Sequence, residues 1–436
     1  MYAKTKIALR LAVALLIMLN VSYQHQVRAN GDAKLSRRAQ ELSRKLMLID
    51  THVDTPYRLQ TKMQEDSHKA GCQDISGRAE SGHFDYFRAR QGGLDTVFMA
   101  VYVAAEHEEQ GDARAFADKT IDLVEGLAKK WPDKFVMAYS VDEVRDQFGG
   151  DRISIVMGME NGSPIEGDLA NLEHFYKRGI RYITLCHSKN NHICDSSFDQ
   201  GPKWHGLSPF GKKLVAEMNR VGMLIDVSHV SDEAFYQIMQ LSTAPVVATH
   251  SACRHFTPGW QRNMSDEMIR RLAEKGGVIQ INFGSIFVNT RSNREFVKIR
   301  REILQYIEAN NLQGEEKKRY TKQRWDEARI SRAHVSDVAA NIDHVVKLVG
   351  IEHVGLGSDF DGVDNVPDGL EDVSCYPNLV YELLKIGYGE EDIGKICAEN
   401  FLRVWAEAEK TALGLRSNPG APGLASVLSR RFRTDP

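Results

Sequence analysis

The sequence predicts an α/β protein, a (β/α)8 TIM-type barrel with loop insertions, and three observations predict it. Eight short apolar runs recur along the chain, at Leu46–Ile49, Thr96–Val103, Ile153–Met159, Arg181–Leu185, Met223–Val227, Val246–Ala248, Gly277–Asn282 and His353–Leu356. Amphipathic helical stretches separate most of them, including Ala113–Lys130, Leu169–Arg178, Pro209–Arg220, Asp232–Leu241, Ser265–Glu274 and Val335–Val349. The runs are near-continuously apolar, as strands are when helices cover both faces of a parallel sheet. Eight such units close into a barrel.

Taken in order, the chain begins with a stretch unlike the rest. Lys4, Lys6 and Arg10 precede the apolar run Leu11–Leu19, and Val27-Arg28-Ala29 offers a small-x-small cleavage site. Residues 1–29 therefore read as a secretory signal peptide, its run too short to span a bilayer. Neither a lipid-accepting Cys after that run nor a hydrophobic C-terminal tail is present, so a stable membrane anchor is not expected and export is. Residues 35–45 read as a polar helix leading into the first run. One catalytic domain is expected over 35–410, interrupted by a Gly-, Ser- and His-rich excursion at 57–93 and a charged insertion at about 290–332. Both are expected to rim the barrel mouth. Residues 411–436, with Gly414, Pro419, Gly420, Pro422 and Gly423, read as a disordered tail.

Composition narrows the function classes. The chain has 436 residues, 42% hydrophobic and 26% charged, ample for a large core. Its net charge of −3 gives no reason to expect nucleic acid or an anionic membrane surface as partner. Six scattered cysteines contain no Cys-x-x-Cys, which argues against a thiolate zinc site.

In a (β/α)8 barrel the active site lies at the C-terminal ends of the strands. The first run ends in His52-Val53-Asp54, and side chains at i and i+2 of an extended backbone point to one side. The third ends in Glu160, the fourth in His187, the fifth in His229, the sixth in His250 and the eighth in Asp359. Any one of these has a bland explanation as a core histidine or a turn carboxylate. Six of eight runs delivering such a residue to one rim point to a metal centre. Imidazoles with carboxylates suit Zn²⁺ and argue against Ca²⁺ or Mg²⁺. There are ligands enough for two ions, a site suited to hydrolysing an amide bond with a further carboxylate to move the proton.

Several long motifs then carry a specific resemblance: Ile49–Asp54, Gly158-Met159-Glu160-Asn161-Gly162, Arg181–Ser188, Gly206–Gly211, Leu224–Ser231 and Gly357–Gly362. From about Ala39 to Trp405 the chain resembles the membrane dipeptidases, renal-dipeptidase-like zinc peptidases of the amidohydrolase superfamily. The resemblance implies a barrel of the metal-dependent hydrolase kind that cleaves small dipeptides through a metal-bridging hydroxide. It implies two Zn²⁺ per chain, with His52 and Asp54 on one, His229 and His250 on the other, and Glu160 bridging them. Asp359 matches the proton-shuttling acid/base, and His187 the histidine that contacts substrate and supports the oxyanion. Arg262-Asn263 matches the pair at which the dipeptide carboxylate binds, with Arg254 as the rival arginine. Relatives form dimers, so a homodimer is allowed.

The loop Lys189-Asn190-Asn191-His192 lacks the Cys-Asn of animal relatives, so their disulfide pairing does not transfer. Two alternatives remain: a related zinc amidohydrolase acting on N-acyl amino acids or β-lactams, and a catalytically silent binding protein that keeps the barrel.

Overall fold

The computed structural model describes residues 31–65 and 74–417. Nine strands form one parallel sheet: β1 Ile49–Val53, β2 Thr96–Tyr102, β3 Phe135–Met137, β4 Ile153–Glu160, β5 Ile180–Thr184, β6 Leu224–Asp226, β7 Val247–Ser251, β8 Val278–Ile281 and β9 Val354–Leu356. The sheet order is β1-β2-β4-β5-β6-β7-β8-β9, with β3 beside β4. Each of the eight predicted runs meets a strand of the barrel, the first only at Ile49, where β1 begins before running on to Val53.

The additional strand, β3, pairs with Ile153–Ile155 at the start of β4, while β5 takes the later residues Met157–Glu160. It thus fills the lower half of an edge that β5 leaves open. The circle closes between β1 and β9, where Asp54 N donates to Phe360 O and Asp359 N to His52 O. The buried Asp50 carboxylate reinforces the seam by accepting from Ser358 N (2.9 Å), Ser358 Oγ (2.5 Å) and the Tyr376 hydroxyl.

Alternation along each strand splits the core in two. Val97, Met99, Ile155, Met157, Ile225 and Ile279 face the surrounding helices. Their neighbours Phe98, Val156, Leu224 and Val278 point into the barrel and pack with Phe401, Leu402 and Trp405 of the C-terminal helix. This apolar plug fills the bottom of the barrel and leaves the top for polar side chains.

The expected helix before β1 spans residues 31–45. The charged insertion is two helices, Thr290–Ala309 and Gly314–Glu327. One expectation needs correction: the final helix runs on to Ser417, so residues 411–417 are ordered helix rather than tail. Buried Ala408 and Ala412, one turn apart, carry the packed stripe past the expected end. The expected signal peptide and the remainder of the expected tail lie outside the described residues. Cys186, Cys194, Cys253, Cys375 and Cys397 are free thiols. Among the described residues no helix is long and apolar enough to cross a membrane.

Candidate metal centre

The strand ends bring His52, Asp54, Glu160, His187, His229, His250 and Asp359 to one mouth. His52 Nε2 lies 3.3 Å from Asp54 Oδ2 and 3.6 Å from Glu160 Oε2. On the other side, His229 Nε2 and His250 Nε2 lie 3.1 and 3.2 Å from Glu160 Oε1 and 2.8 Å from each other. His187 Nε2 is 3.6 Å from that same oxygen. Glu160 thus presents one carboxylate oxygen to each of two ligand sets.

The surroundings fix the rings in ligand-ready form. His250 Nδ1 lies 2.9 Å from Thr249 Oγ1, whose own hydrogen is donated to Asp226 Oδ2 at 2.7 Å. The Thr249 oxygen must then accept from Nδ1–H, which leaves the Nε2 lone pair facing inward. His52 Nδ1 lies 2.7 Å from the Tyr182 hydroxyl, and an Nδ1–H donated there does the same for His52. His52 Nε2 and Asp54 Oδ1 are buried without a hydrogen-bond partner. Converging lone pairs and orphaned buried atoms are what a cation would satisfy, so the donor set fits a metal centre. Three overlapping triads hold ligand atoms within 4.8 Å of one another: His52–Glu160–His250, Glu160–His187–His229 and His52–Asp54–Asp359.

Charge is tuned by burial and by neighbours. Burial, with Arg262 beside His229 and His52 beside His250, holds both of these imidazoles well below the usual histidine range. Burial opposes charge on Glu160 too, but the imidazoles packed around it, His187 and His52 first and then His229 and His250, outweigh it and hold the carboxyl well below its ordinary range. Asp359 goes the opposite way: burial, then the Asp54 carboxylate, push it well above the ordinary range. A buried carboxyl raised by a neighbouring carboxyl is a group suited to carrying a proton.

Local backbone supports the placement. Asn161, His229, Asp359 and Asp361 all have positive φ just past strand ends, a conformation that costs free energy and clusters at functional sites. Gly362 supplies the space: a Cβ there would lie 2.2 Å from Asp54 Oδ2 and 2.3 Å from Asp359 Oδ1. Gly158 in β4 does the same for Tyr182, whose ring would meet a Cβ at 1.9 Å.

The two arginines separate cleanly. Arg254 gives both terminal nitrogens to Asp232, at 2.7 and 2.6 Å. Arg262 lies behind His229, its nitrogens on Ser251 Oγ (2.9 Å), His250 O (2.8 Å) and His229 Nε2 (3.0 Å). Burial pulls its pKa down to about 10. Asn263 differs from expectation: it is buried in its own loop, with Nδ2 donating to Thr257 Oγ1 (2.8 Å) and Phe287 O (2.7 Å). These bonds make it a residue that pins the loop carrying Arg262.

Sequence reasoning passed over Tyr182, the Thr249–Asp226 relay and Asn282, whose Nδ2 donates to Asp359 Oδ2 at 2.7 Å. An acid inside the apolar run Met223–Val227 was a signal for Asp226. Asn282 closes its run just as the histidines close theirs.

A parallel barrel with such a rim defines a metal-dependent hydrolase. The model of the family described as membrane dipeptidase (peptidase family M19) matches residues 36–419, and the chain belongs to that family. Dipeptidase tcpJ of Claviceps purpurea is 34% identical over 339 residues, 76% of this chain and 71% of that protein. Dipeptidase aclJ of Aspergillus oryzae is 34% identical over 341 residues, 77% and 72% of the two chains. Among solved structures, the probable dipeptidase PvdM of Pseudomonas aeruginosa has a TM-score of 0.77 at 28% identity, covering 87% of this chain and all of that one. A metallo peptidase from Rhodobacter sphaeroides, liganded with a phosphinate mimic of the dipeptide L-Ala-D-Ala, has a TM-score of 0.66 at 25% identity, covering 83% and 99%. The protein is a metallo-dipeptidase, a hydrolase of dipeptides.

Proposed function

We propose that this dipeptidase works with two zinc ions, His52 and Asp54 holding one, His229 and His250 the other, and Glu160 shared between them. The observation that carries this reading is Glu160 itself, with Oε2 toward His52 and Oε1 toward His229 and His250. Bound there, the zinc pair would make a shared water nucleophilic at neutral pH and polarise the scissile carbonyl.

The chain's own residues do the rest. Asp359, kept protonatable by burial and held by Asn282, takes up a proton and delivers it to the leaving nitrogen. His187, in the cavity wall with its ring against Tyr102, donates to the developing oxyanion. Arg262 anchors the dipeptide's C-terminal carboxylate, a role supported by its buried Nε, which has no hydrogen-bond partner, and by the pairing of Arg254 with the Asp232 carboxylate. The phosphinate of the Rhodobacter sphaeroides relative mimics a D-residue at that end, so D-residues there belong to the proposed range. We place the mature protein outside the cytoplasm, its leader removed.

The test is zinc per chain together with hydrolysis of dipeptides bearing free or amidated C-termini. Close to two zincs, with only free-carboxylate dipeptides cleaved, is the expected result. Cleavage of amidated or N-acylated substrates at equal rates would keep the metal chemistry and remove the carboxylate anchor. Little metal and no turnover after zinc is supplied would leave a binding protein.

A further inference from the structure

The cavity above the metal centre measures about 810 Å³ and extends well beyond the reacting groups. Pockets that bury most of a drug-sized ligand span about 300–1,000 Å³, so this one has room for bulky side chains on a dipeptide. One wall is the polar rim, with Asp54, Glu160, His187 and Asp359. Another part of the lining is apolar and largely aromatic: Phe198, Phe287, Phe296 and Trp325, together with Ile330.

The charged insertion builds the outer half of that wall. Helix Gly314–Glu327 has no buried residue and is charged along most of its length, yet its last turn sets Trp325 into the cavity wall. There Trp325 stacks on Phe296 of helix Thr290–Ala309, with ring centroids 5.1 Å apart and planes 20° from parallel. Trp260 backs the wall, 5.0 Å from Phe287 and 5.9 Å from Phe296. The assembly is tied down, since Arg300 Nη2 donates to Phe198 O at 3.0 Å and Ser331 N to Glu295 Oε2 at 2.6 Å.

The wall begins beside the proposed carboxylate anchor. The Arg262 guanidinium carbon lies 5.2 Å from the Phe287 ring centre, and the Phe198 ring 5.9 Å from that of His229. A dipeptide whose C-terminal carboxylate is held at Arg262 therefore has the side chain of its C-terminal residue nearest these rings. We propose that the wall of Phe198, Phe287, Phe296 and Trp325 is a subsite for a bulky aromatic side chain on the C-terminal residue of the dipeptide, with the 290–332 insertion as its specificity element. This rests on the dipeptidase reading and on Arg262 as anchor. Flat rings, of which Phe198, Phe296 and Trp325 are half-buried, bind a planar apolar group by stacking and burial, with little rotamer freedom lost on either side.

The experiment compares kcat/KM for Gly-Ala, Gly-Phe, Gly-Trp and Phe-Gly in wild type, Trp325→Ala and Phe296→Ala, all zinc-loaded, with melting temperatures to confirm folding. Wild type is expected to prefer Gly-Phe and Gly-Trp over Gly-Ala and over Phe-Gly by about tenfold. Either variant should lower the Gly-Phe to Gly-Ala ratio by about that factor, through KM for Gly-Phe. Equal ratios in wild type and variants, with Gly-Ala still cleaved, would overturn the subsite and spare the dipeptidase reading. Preference for Phe-Gly would overturn the assignment to the C-terminal residue. No hydrolysis of any dipeptide would overturn both.

Discussion

The two ends of the barrel interior are made from the same strands yet obey opposite rules. At the bottom, Phe98, Val156, Leu224, Val247 and Val278 pack against Phe401 and Trp405 of the last helix. At the top, the same strands or their exits deliver Glu160, His229, His250 and Asp359 into a space where charges are buried against one another. The bottom is apolar and close-packed, which stabilises the fold. The top is costly on its own, because buried ionisable groups lose hydration and are offset only when paired or metal-bound. Stability and chemistry are thereby segregated by height within one sheet, and substitutions at the two ends should fail in different ways.

The largest effect is expected at the rim. Asp359→Asn keeps the shape and the Asn282 contact region but removes the proton carrier, so kcat should fall by about 10²–10⁴-fold. Zinc content should stay near wild type, because the five proposed ligands are untouched. Loss of metal in that variant would mean that Asp359 holds the centre together, and the proton would have to move by another group. At the bottom, Trp405→Ala should cost about 3–5 kcal/mol of stability by opening a cavity in the plug. The folded fraction should retain wild-type kcat within about twofold. Urea unfolding followed by assays at low temperature separates the two, and a tenfold fall in kcat with unchanged stability would abolish the contrast.

The same contrast explains what could be read from the sequence. Strand runs and rim residues were legible because a parallel barrel enforces both: continuous apolar strands, and functional side chains at their C-terminal ends. β3 was not, since Phe135–Met137 is three residues long and its pairing depends on β5 leaving half of β4 uncovered. Asn282 ends β8 as the histidines end theirs, but an amide carries no charge and no metal preference to mark it. Tyr182 was the hardest. Within Arg181–Leu185 it looks like any core aromatic, and only register reveals that its hydroxyl reaches His52. The helix past residue 411 was hidden by Gly414, a local breaker overridden by the packing of Ala408 and Ala412.

A third prediction sharpens the comparison with a charge at the wrong end. Asp95 precedes β2 at the bottom, where burial raises its carboxyl to about 6 although Leu48 N (3.0 Å) and Arg90 pull it down. The folded state holds this proton to higher pH than the unfolded chain, whose carboxyl titrates near 3.8. Its contribution is therefore complete below about pH 4 and is lost as pH rises through about 6, by up to about 3 kcal/mol. Asp95→Asn should flatten that part of the stability curve between pH 4 and 7 without changing zinc content. Parallel wild-type and variant curves would show that the proton is not linked to folding.

Tyr182 belongs to both ends, which makes its substitution the finest test. Its ring lies in the plug, stacked 5.8 Å from Phe98, while its hydroxyl sits 2.7 Å from His52 Nδ1 at the rim. Tyr182→Phe keeps the ring and deletes only the hydroxyl. If the two ends are separable, stability should change by less than about 1 kcal/mol, the net worth of one hydrogen bond. Zinc affinity should fall by about 10–100-fold, the usual cost of losing a hydrogen bond that orients a metal-binding histidine. Competition with a chelator reads the affinity and urea unfolding of the metal-free protein reads the stability. A large stability loss with unchanged zinc affinity would place the hydroxyl in the structural half of the barrel, and His52 would then owe its orientation to packing against His250, 3.7 Å away ring to ring.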